Sequence, residues 1–396
     1  MTARRESQRS TAQPTVEVLI PLFNEGRSIY DTVLSLLSQK YPTDRLTITV
    51  IDDASTDDSF AWAEKARAEH PTRVRVLRNV KNLGKRRGLN RAVRASCAEI
   101  VVSVDSDVVV HEDAVARLVS GFTRPEIAAV GGRVGVCNPH DSWLTRMQVI
   151  KYHFGYYYLK NLERAFESVM CLSGCLTAYR REVLLELEPV LEDRRVLGVG
   201  VFYGEDRYLT RQIVKAGYAT RLVLDARCWT KAPITLRHYF SQQLRWRRSN
   251  LVDFLHGVTH VWRLHPIMTL HYVSQYSLQL AYPLIIVLNV LAGAFWELAF
   301  LHLFILTGLG VLYWFECDDP PDQRVHPLSF LAMGLVMPVT YLLLNVLALF
   351  TLDSGSWETR GHQPAAPLPP TSPDPASTAD AVPSAQSVAL SVAPRN

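Results

Sequence analysis

The chain of 396 residues has room for one large domain of about 250 residues and an appended module. Its net charge of +4 is small and dispersed, which argues against nucleic acid as the main partner. None of the six cysteines (Cys97, Cys137, Cys171, Cys175, Cys228, Cys317) forms a Cys-x-x-Cys pair or has a histidine at zinc spacing, so neither a disulfide framework nor a zinc site is expected, and a reducing cytosolic setting fits best. Met1 to Gln13 is polar and basic without an apolar core, so no signal peptide is expected. The 48% apolar content hides a division: the first 230 residues alternate and carry charge, whereas Ile267 to Leu352 hold very few ionisable groups.

Val16 to Pro21 reads as a strand, Asn24-Glu25-Gly26 as a turn, and Ser28 to Gln39 as a helix with Ile29, Val33, Leu36 and Leu37 at helical spacing. Leu46 to Ile51 is a second strand, ending in Asp52-Asp53-Ala54-Ser55. At that strand end Asp53 or its neighbour Asp52 would accept from a uracil ring or a ribose hydroxyl; a cap for the helix from Ser59 is the alternative. Val74 to Leu77 is a third strand. It leads to Asn82-Leu83-Gly84-Lys85-Arg86-Arg87-Gly88, ahead of a helix over Leu89 to Ser96. Amides and cations there suit a diphosphate, or simply begin a solvated basic helix.

The stretch Glu99 to Val110 is a β-branched run read as a buried parallel strand that delivers Asp105 and Asp107 at its C-terminal end. Residues i and i+2 of an extended segment share a side, so both carboxylates would converge on one hard cation, Mg²⁺ or Mn²⁺. Alone, the triplet also fits a solvated strand end. Ser173-Gly174 is a tight turn before an element carrying Tyr179. Gly204-Glu205-Asp206-Arg207 opens a helix with Leu209, Ile213 and Val214 on one face, ended by Gly217. Paired carboxylates at a helix N-terminus favour the dipole, and they also suit a general base.

Leu236 to Trp262 interleaves Arg237, Arg245, Arg247 and Arg248 with aromatic and apolar residues, the composition of an amphipathic helix at a membrane surface. Three apolar stretches follow, Met268 to Leu291, Phe295 to Phe315 and Leu328 to Leu352, each near the ~20 residues that span a bilayer. His271, Gln275 and Gln279 mark the first as partly interfacial. The acidic connector Glu316 to Asp322 weakly disfavours a cytosolic position for itself.

In order, Ile20-Pro21-Leu22-Phe23-Asn24-Glu25, Asp52-Asp53-Ala54-Ser55, Asn82-Leu83-Gly84-Lys85-Arg86, Val104-Asp105-Ser106-Asp107, Cys171-Leu172-Ser173-Gly174-Cys175-Leu176, Gly204-Glu205-Asp206-Arg207 and Gln242-Gln243-Leu244-Arg245-Trp246 resemble the motifs of family 2 inverting glycosyltransferases. The likeness is to the membrane-embedded processive branch: hyaluronan synthases, chitin synthases and rhizobial chitooligosaccharide synthases. It runs from about Val16 to Arg360, where Ser356-Trp357-Glu358-Thr359-Arg360 is similar to a closing motif.

The resemblance implies an α/β fold: a GT-A-like nucleotide-sugar-binding domain with a mixed, mostly parallel sheet, followed by interfacial and transmembrane helices. It divides the chain into a disordered 1–15, a cytosolic catalytic domain over 16–233, interfacial helices over 234–266, membrane helices over 267–352, the closing motif over 353–361 and a disordered Pro/Ala/Ser-rich tail over 362–396. It implies a UDP-sugar held by Asp52, Asp53, Lys85, Arg86, Asp105, Arg245, Trp357 and Arg360, and metal on Asp105 and Asp107. Asp206 would be the base, oriented and kept ionised by Glu205 and Arg207. The acceptor, a growing polysaccharide, would meet Ser173, Gly174, Cys175, Gln242 and Trp246; Cys175 stands where the family often has proline. The branch also commonly carries one or two helices ahead of its catalytic domain. This chain opens its first strand at Val16, so a complete pore would need a second copy or an export partner. Location in the plasma membrane with the catalytic domain in the cytosol follows. Two crossings, with the first stretch failing to cross fully, would return Trp357 and Arg360 to the cytosol.

Overall fold

The computed structural model describes residues 13–192, 194–196, 199–201 and 203–352. β1 (Val16–Leu22), α1 (Ser28–Leu37), β2 (Leu46–Asp52), α2 (Ser59–Glu69) and β3 (Val74–Arg78) form two successive β-α-β units, with β1 and β2 parallel and β2 and β3 parallel. The strands are near-continuous apolar runs because helices cover both faces of the sheet. Glu17, buried within β1, accepts from Thr49 Oγ1 at 2.6 Å and so satisfies its polar end. α3 (Lys85–Ala95) returns the chain to β4 (Ile100–Ser103), which lies on the other side of β1 and parallel to it.

The remaining strands are β5 (Val109–Val110), β6 (Ile127–Val136), β7 (Thr177–Arg180) and β10 (Ala219–Thr230), giving the order β3-β2-β1-β4-β7-β6-β10-β5. β7 runs antiparallel to both neighbours, and β5 antiparallel to β10. β8 (Arg195–Val196) and β9 (Val199–Gly200) make a separate short ladder. The sheet is mixed, as the resemblance implies. The strand expected over Glu99 to Val110 is two pieces: β4 stops at Ser103, and Asp105 and Asp107 lie on the turn before β5.

α4 (Ala114–Ser120), α5 (Trp143–Phe154), α6 (Lys160–Ala165), α7 (Arg181–Glu192) and α8 (Glu205–Lys215) pack on the sheet, with a π-helical turn over Gly155–Leu159 joining α5 to α6. Ser142 and Thr145 form a reciprocal capping box that starts α5. α8 ends as its sequence requires, with Gly217 at φ +91° beyond the last turn. α9 (Leu236–Gly257) follows.

Three helical runs are long and apolar enough to cross a membrane: α10 (Pro266–Leu291), α11 (Phe295–Glu316) and Pro327–Phe350, and they mark a membrane protein. The last run is interrupted. It comprises a 3₁₀ turn, α12 (Leu331–Val339), a π turn over Thr340–Leu344 and α13 (Asn345–Phe350), the irregularity following Pro338, which supplies no N–H. Leu284, Phe300, Phe304 and Leu335 are among many large apolar side chains left exposed, an outer surface suited to lipid.

Candidate active site

On the β2 side, two carboxylates expected to meet the nucleotide are occupied otherwise. Asp52 is fully buried, 3.1 Å from Arg78 Nε, and accepts from the Ser55 N–H. Asp53 accepts from Asn79 Nδ2 and from the Leu83 and Gly84 amides at 2.7 to 2.8 Å. Asp53 is not the cap of α2, whose N-terminus is at Asp58; it shapes the loop ahead of α3. Gly84, at φ +84°, makes the sharp turn, so α3 begins at Lys85 rather than at Leu89. Lys85 therefore sits in the first helical turn and points inward. Its Nζ lies 2.6 Å from Asp105 Oδ1 and 3.0 Å from Glu205 Oε1. Arg86 turns aside instead, donating to the carbonyls of Glu192 and Val201 at 3.3 and 3.4 Å.

Because Asp105 and Asp107 are on a turn, strand alternation does not explain their pairing. Asp105 Oδ2 accepts from the Cys175 thiol at 3.4 Å, and Asp107 Oδ2 accepts from Thr230 Oγ1 at 2.9 Å. Burial and then the Asp105 charge push the Cys175 thiol well above its ordinary pKa, so it stays a donor. These two hard carboxylates fit a divalent cation of the Mg²⁺ or Mn²⁺ kind. Among the described residues no group of three His, Cys, Asp or Glu side chains is assembled to hold an ion, so a bound ion would draw its other ligands from substrate phosphates and water.

α8 starts at Gly204, whose φ of +66° aims Glu205 and Asp206 back at the sheet. Asp206 Oδ1 accepts from the Arg207 N–H at 2.7 Å, and Oδ2 from the Gly174 N–H at 3.4 Å. Glu205 does not orient Asp206: its carboxylate is on Lys85. Burial works to raise its pKa, but Lys85, together with its own backbone N–H, brings it down to about 2. Lys85 in turn is held well above its usual value, burial being outweighed by Asp105 and Glu205. The Arg207 side chain likewise leaves Asp206 and reaches Tyr276 Oη at 3.5 Å. The hydrogen bond from Arg207 to Asp206 comes from its backbone N–H.

The turn over Ser173, Gly174 and Cys175 closes the site. A Cβ on Gly174 would stand 2.9 Å from Lys85 Nζ and 3.5 Å from Asp105 Oδ1, so glycine lets the Ser173-Gly174-Cys175 backbone approach both. Ser173 Oγ accepts from the Cys175 N–H at 3.3 Å. On α9, the buried face is polar (Gln243, Arg247, Asp253) and lies against protein, while Leu236 and Leu255 stay exposed. Amphipathicity alone does not predict that inner face. Gln242 accepts from Gln243 Nε2 at 3.4 Å, Arg245 carries a buried Nε that no hydrogen bond satisfies, and its charge helps depress Glu205.

Two residues not singled out from the sequence belong to this neighbourhood. Lys151 donates to Gln243 Oε1 at 2.6 Å and stands 5.3 Å from the Trp246 ring centroid. Burial, then Arg247, lowers its pKa to about 7. Among the described residues no carboxylate pairs with it. Asp253 is the other, a buried carboxylate paired with Arg211 and Tyr276. A charged residue inside an otherwise apolar run, Val149-Ile150-Lys151 or Leu251-Val252-Asp253-Phe254, is the signal that points to each. Trp357 and Arg360 lie outside the described residues.

The acidic connector after α11 sits on the catalytic side of the molecule. Asp318 pairs with Arg133 at 2.7 Å and Arg227 at 2.5 Å, and Asp319 with Arg133 at 3.2 Å. Its charge is neutralised by these arginines, which removes the argument against that position. The far end of the last apolar run returns to the same side: Arg248 Nε donates to Thr351 Oγ1 at 2.9 Å, and Tyr203 Oη to the Leu352 carbonyl at 2.9 Å.

Residues 14–249 match the model of a glycosyltransferase-like family 2. An N-acetylglucosaminyltransferase of Mesorhizobium japonicum is 32% identical over 362 residues, 88% of this chain and 82% of that protein. One from Rhizobium meliloti is 30% identical over 369 residues, covering 90% and 83%. Among solved structures, a mannosyltransferase of Pyrobaculum calidifontis in complex with GDP-Man and Mn²⁺ superposes with a TM-score of 0.56 at 22% identity, covering 86% of this chain and 88% of that one. The last likeness concerns the fold.

Proposed function

The chain belongs to glycosyltransferase family 2 and is a glycosyltransferase, and from that premise we propose that it transfers N-acetylglucosamine from UDP to the end of a β-linked glycan at the cytosolic face of the plasma membrane. One observation carries this reading: the donor-side pair Lys85 and Asp105, the acceptor-side turn at Gly174 and the carboxylate of Asp206 converge at a single point. Asp206 would take the proton of the acceptor hydroxyl as that oxygen attacks the anomeric carbon, inverting α to β in one displacement. The Gly174 and Arg207 amides keep its oxygens directed, and Lys85 offers a positive charge to the departing diphosphate. Mg²⁺ or Mn²⁺ held by Asp105 and Asp107 would supply further neutralisation of UDP when bound. Trp246 would stack on the terminal sugar and Arg245 would face the diphosphate.

The domain reading follows: catalysis in 16–233, an interfacial α9, and helices in the bilayer from 267 on. The ion pairs of Asp318 and the contacts of Thr351 and Leu352 support two crossings, made by α10 and α11 as a hairpin. The run Pro327–Phe350 then lies along the interface, so the third stretch rather than the first stays on one side. Extension of hyaluronan or chitin, with passage of the polymer beside this hairpin, is the processive form of the reading; a second copy or an export partner would complete a pore. A transferase adding one sugar to a lipid, and a silent scaffold, are the competing readings, and the Gln242 to Trp246 motif and the intact Asp206 site favour the processive form over both.

UDP release by the enzyme in native membranes, with Mg²⁺ or Mn²⁺ and each UDP-sugar in turn, tests this. Sustained release with UDP-N-acetylglucosamine alone, yielding a chitinase-sensitive product, is expected of the chitin type; a need for UDP-glucuronate as well would identify a hyaluronan type. No release with any UDP-sugar would overturn the reading.

A further inference from the structure

The polar half of α10 grips both walls of the active site. Tyr276 Oη donates to Asp253 Oδ2 at 2.6 Å, and Asp253 is 4% exposed. Arg211 pairs with the same carboxylate and donates to the Asp253 carbonyl, and Arg207 approaches Oδ2 at 3.9 Å. Arg207 and Arg211 are one turn apart on α8, so both cations on that face of the base-bearing helix are drawn to one buried anion on α9. Tyr272 Oη adds a bond to the Asp253 carbonyl at 3.1 Å. The second wall is held by His271, 3.4 Å from Glu163 Oε1, while Glu163 Oε2 accepts from the Met170 N–H at 3.1 Å, just before the Ser173 to Cys175 turn.

The remainder of α10 carries exposed Leu284, Leu288 and Leu291, which meet no such polar partner and suit lipid. One helix, with Pro283 at the junction of its two halves, thus has one end suited to the bilayer and the other clamped to the helix of Asp206 and to the Ser173 to Cys175 turn. We propose that α10 is the positioning element of the transferase, with Asp253 and Tyr276 as its positioning residues, so that the seat of α10 in a lipid bilayer sets the rate of transfer. This rests on the reading of Asp206 as the base. A buried carboxylate with two arginines and a tyrosine holds geometry by charge and hydrogen bonds in a water-poor setting, where a misplacement of about 1 Å costs up to about a hundredfold in rate.

Tyr276→Phe removes one hydroxyl and keeps the ring packing. Asp253→Asn leaves two arginines without their anion and risks misfolding, so it is the secondary variant. Each is measured as sugar transfer per folded enzyme in phosphatidylethanolamine/phosphatidylglycerol vesicles and in dodecyl maltoside micelles, beside wild type and Asp206→Asn. The wild type is expected to lose about tenfold in kcat on moving from vesicles to micelles. Tyr276→Phe should show that low kcat in both, with KM for the donor within about twofold of wild type. A Tyr276→Phe enzyme that keeps wild-type kcat and the same vesicle-to-micelle ratio overturns the proposal. So does a loss that vanishes once transfer is divided by the amount of folded enzyme. Retained activity in Asp206→Asn would instead remove the base on which the proposal stands.

Discussion

The donor and acceptor sides of the site solve the problem of buried charge in opposite ways. At the strand ends, Lys85 is sandwiched between Asp105 and Glu205, and opposite charges compensate one another so thoroughly that Glu205 stays ionised to about pH 2. Under α9, Lys151 is buried beside the neutral Gln243, aromatic faces and the like charge of Arg247, and its ammonium is correspondingly unstable. The first arrangement fixes charges ahead of substrate. The second leaves a cation beside aromatic rings with no opposite charge among the described residues to hold it.

The contrast can be broken from the donor side first. Asp206→Asn should cost about a thousandfold in turnover, read as UDP release at saturating donor, because no other carboxylate is aligned by two amides at this point. Lys85→Met comes next, at about a hundredfold, and carries a second signature. A depressed carboxylate stabilises the fold above its unfolded pKa of 4.5 and loses that contribution as pH falls towards about 2. Without Lys85 the acid-unfolding midpoint should therefore move to higher pH, followed by circular dichroism. On the acceptor side, Trp246→Leu should raise the acceptor KM by about fivefold with little change in donor KM, the scale of one lost aromatic contact.

The smallest effect sharpens the comparison. Lys151 has an ordinary pKa of 10.5 and a folded value of about 7, so between those limits the unfolded chain binds the extra proton. Stability should then rise with pH through that window, and Lys151→Met should flatten the rise in a series of thermal melts. A wild-type slope retained in the variant would assign it to another group.

Much of the donor side was legible because short β-branched runs ending in carboxylates announce strand ends, and strand ends are where such sheets bind ligands. What was not legible is who takes each carboxylate. Asp52 and Asp53 occur in the expected place, yet Arg78 and the amides of residues 83 and 84 claim them, through a loop whose path depends on Gly84. The early start of α3 has the same cause. Asp253 escaped notice because its partners come from α8 and α10, separated from it by 42 and 23 residues, and no local period encodes that meeting. The direction of the third apolar run was likewise hidden, since hydropathy measures length and not the anchors at its ends.

Gly204 leaves one further mark on the molecule. A Cβ there would lie 2.0 Å from Ser249 Oγ, so the first turn of α8 rests directly on α9, main chain against a small side chain. The separation of α8 and α9 at this turn is consequently a dimension of the scaffold, set by the absence of a side chain at Gly204. Any side chain at position 204 would push the turn that carries Asp206 away from α9, so this one glycine sets how closely the two helices meet.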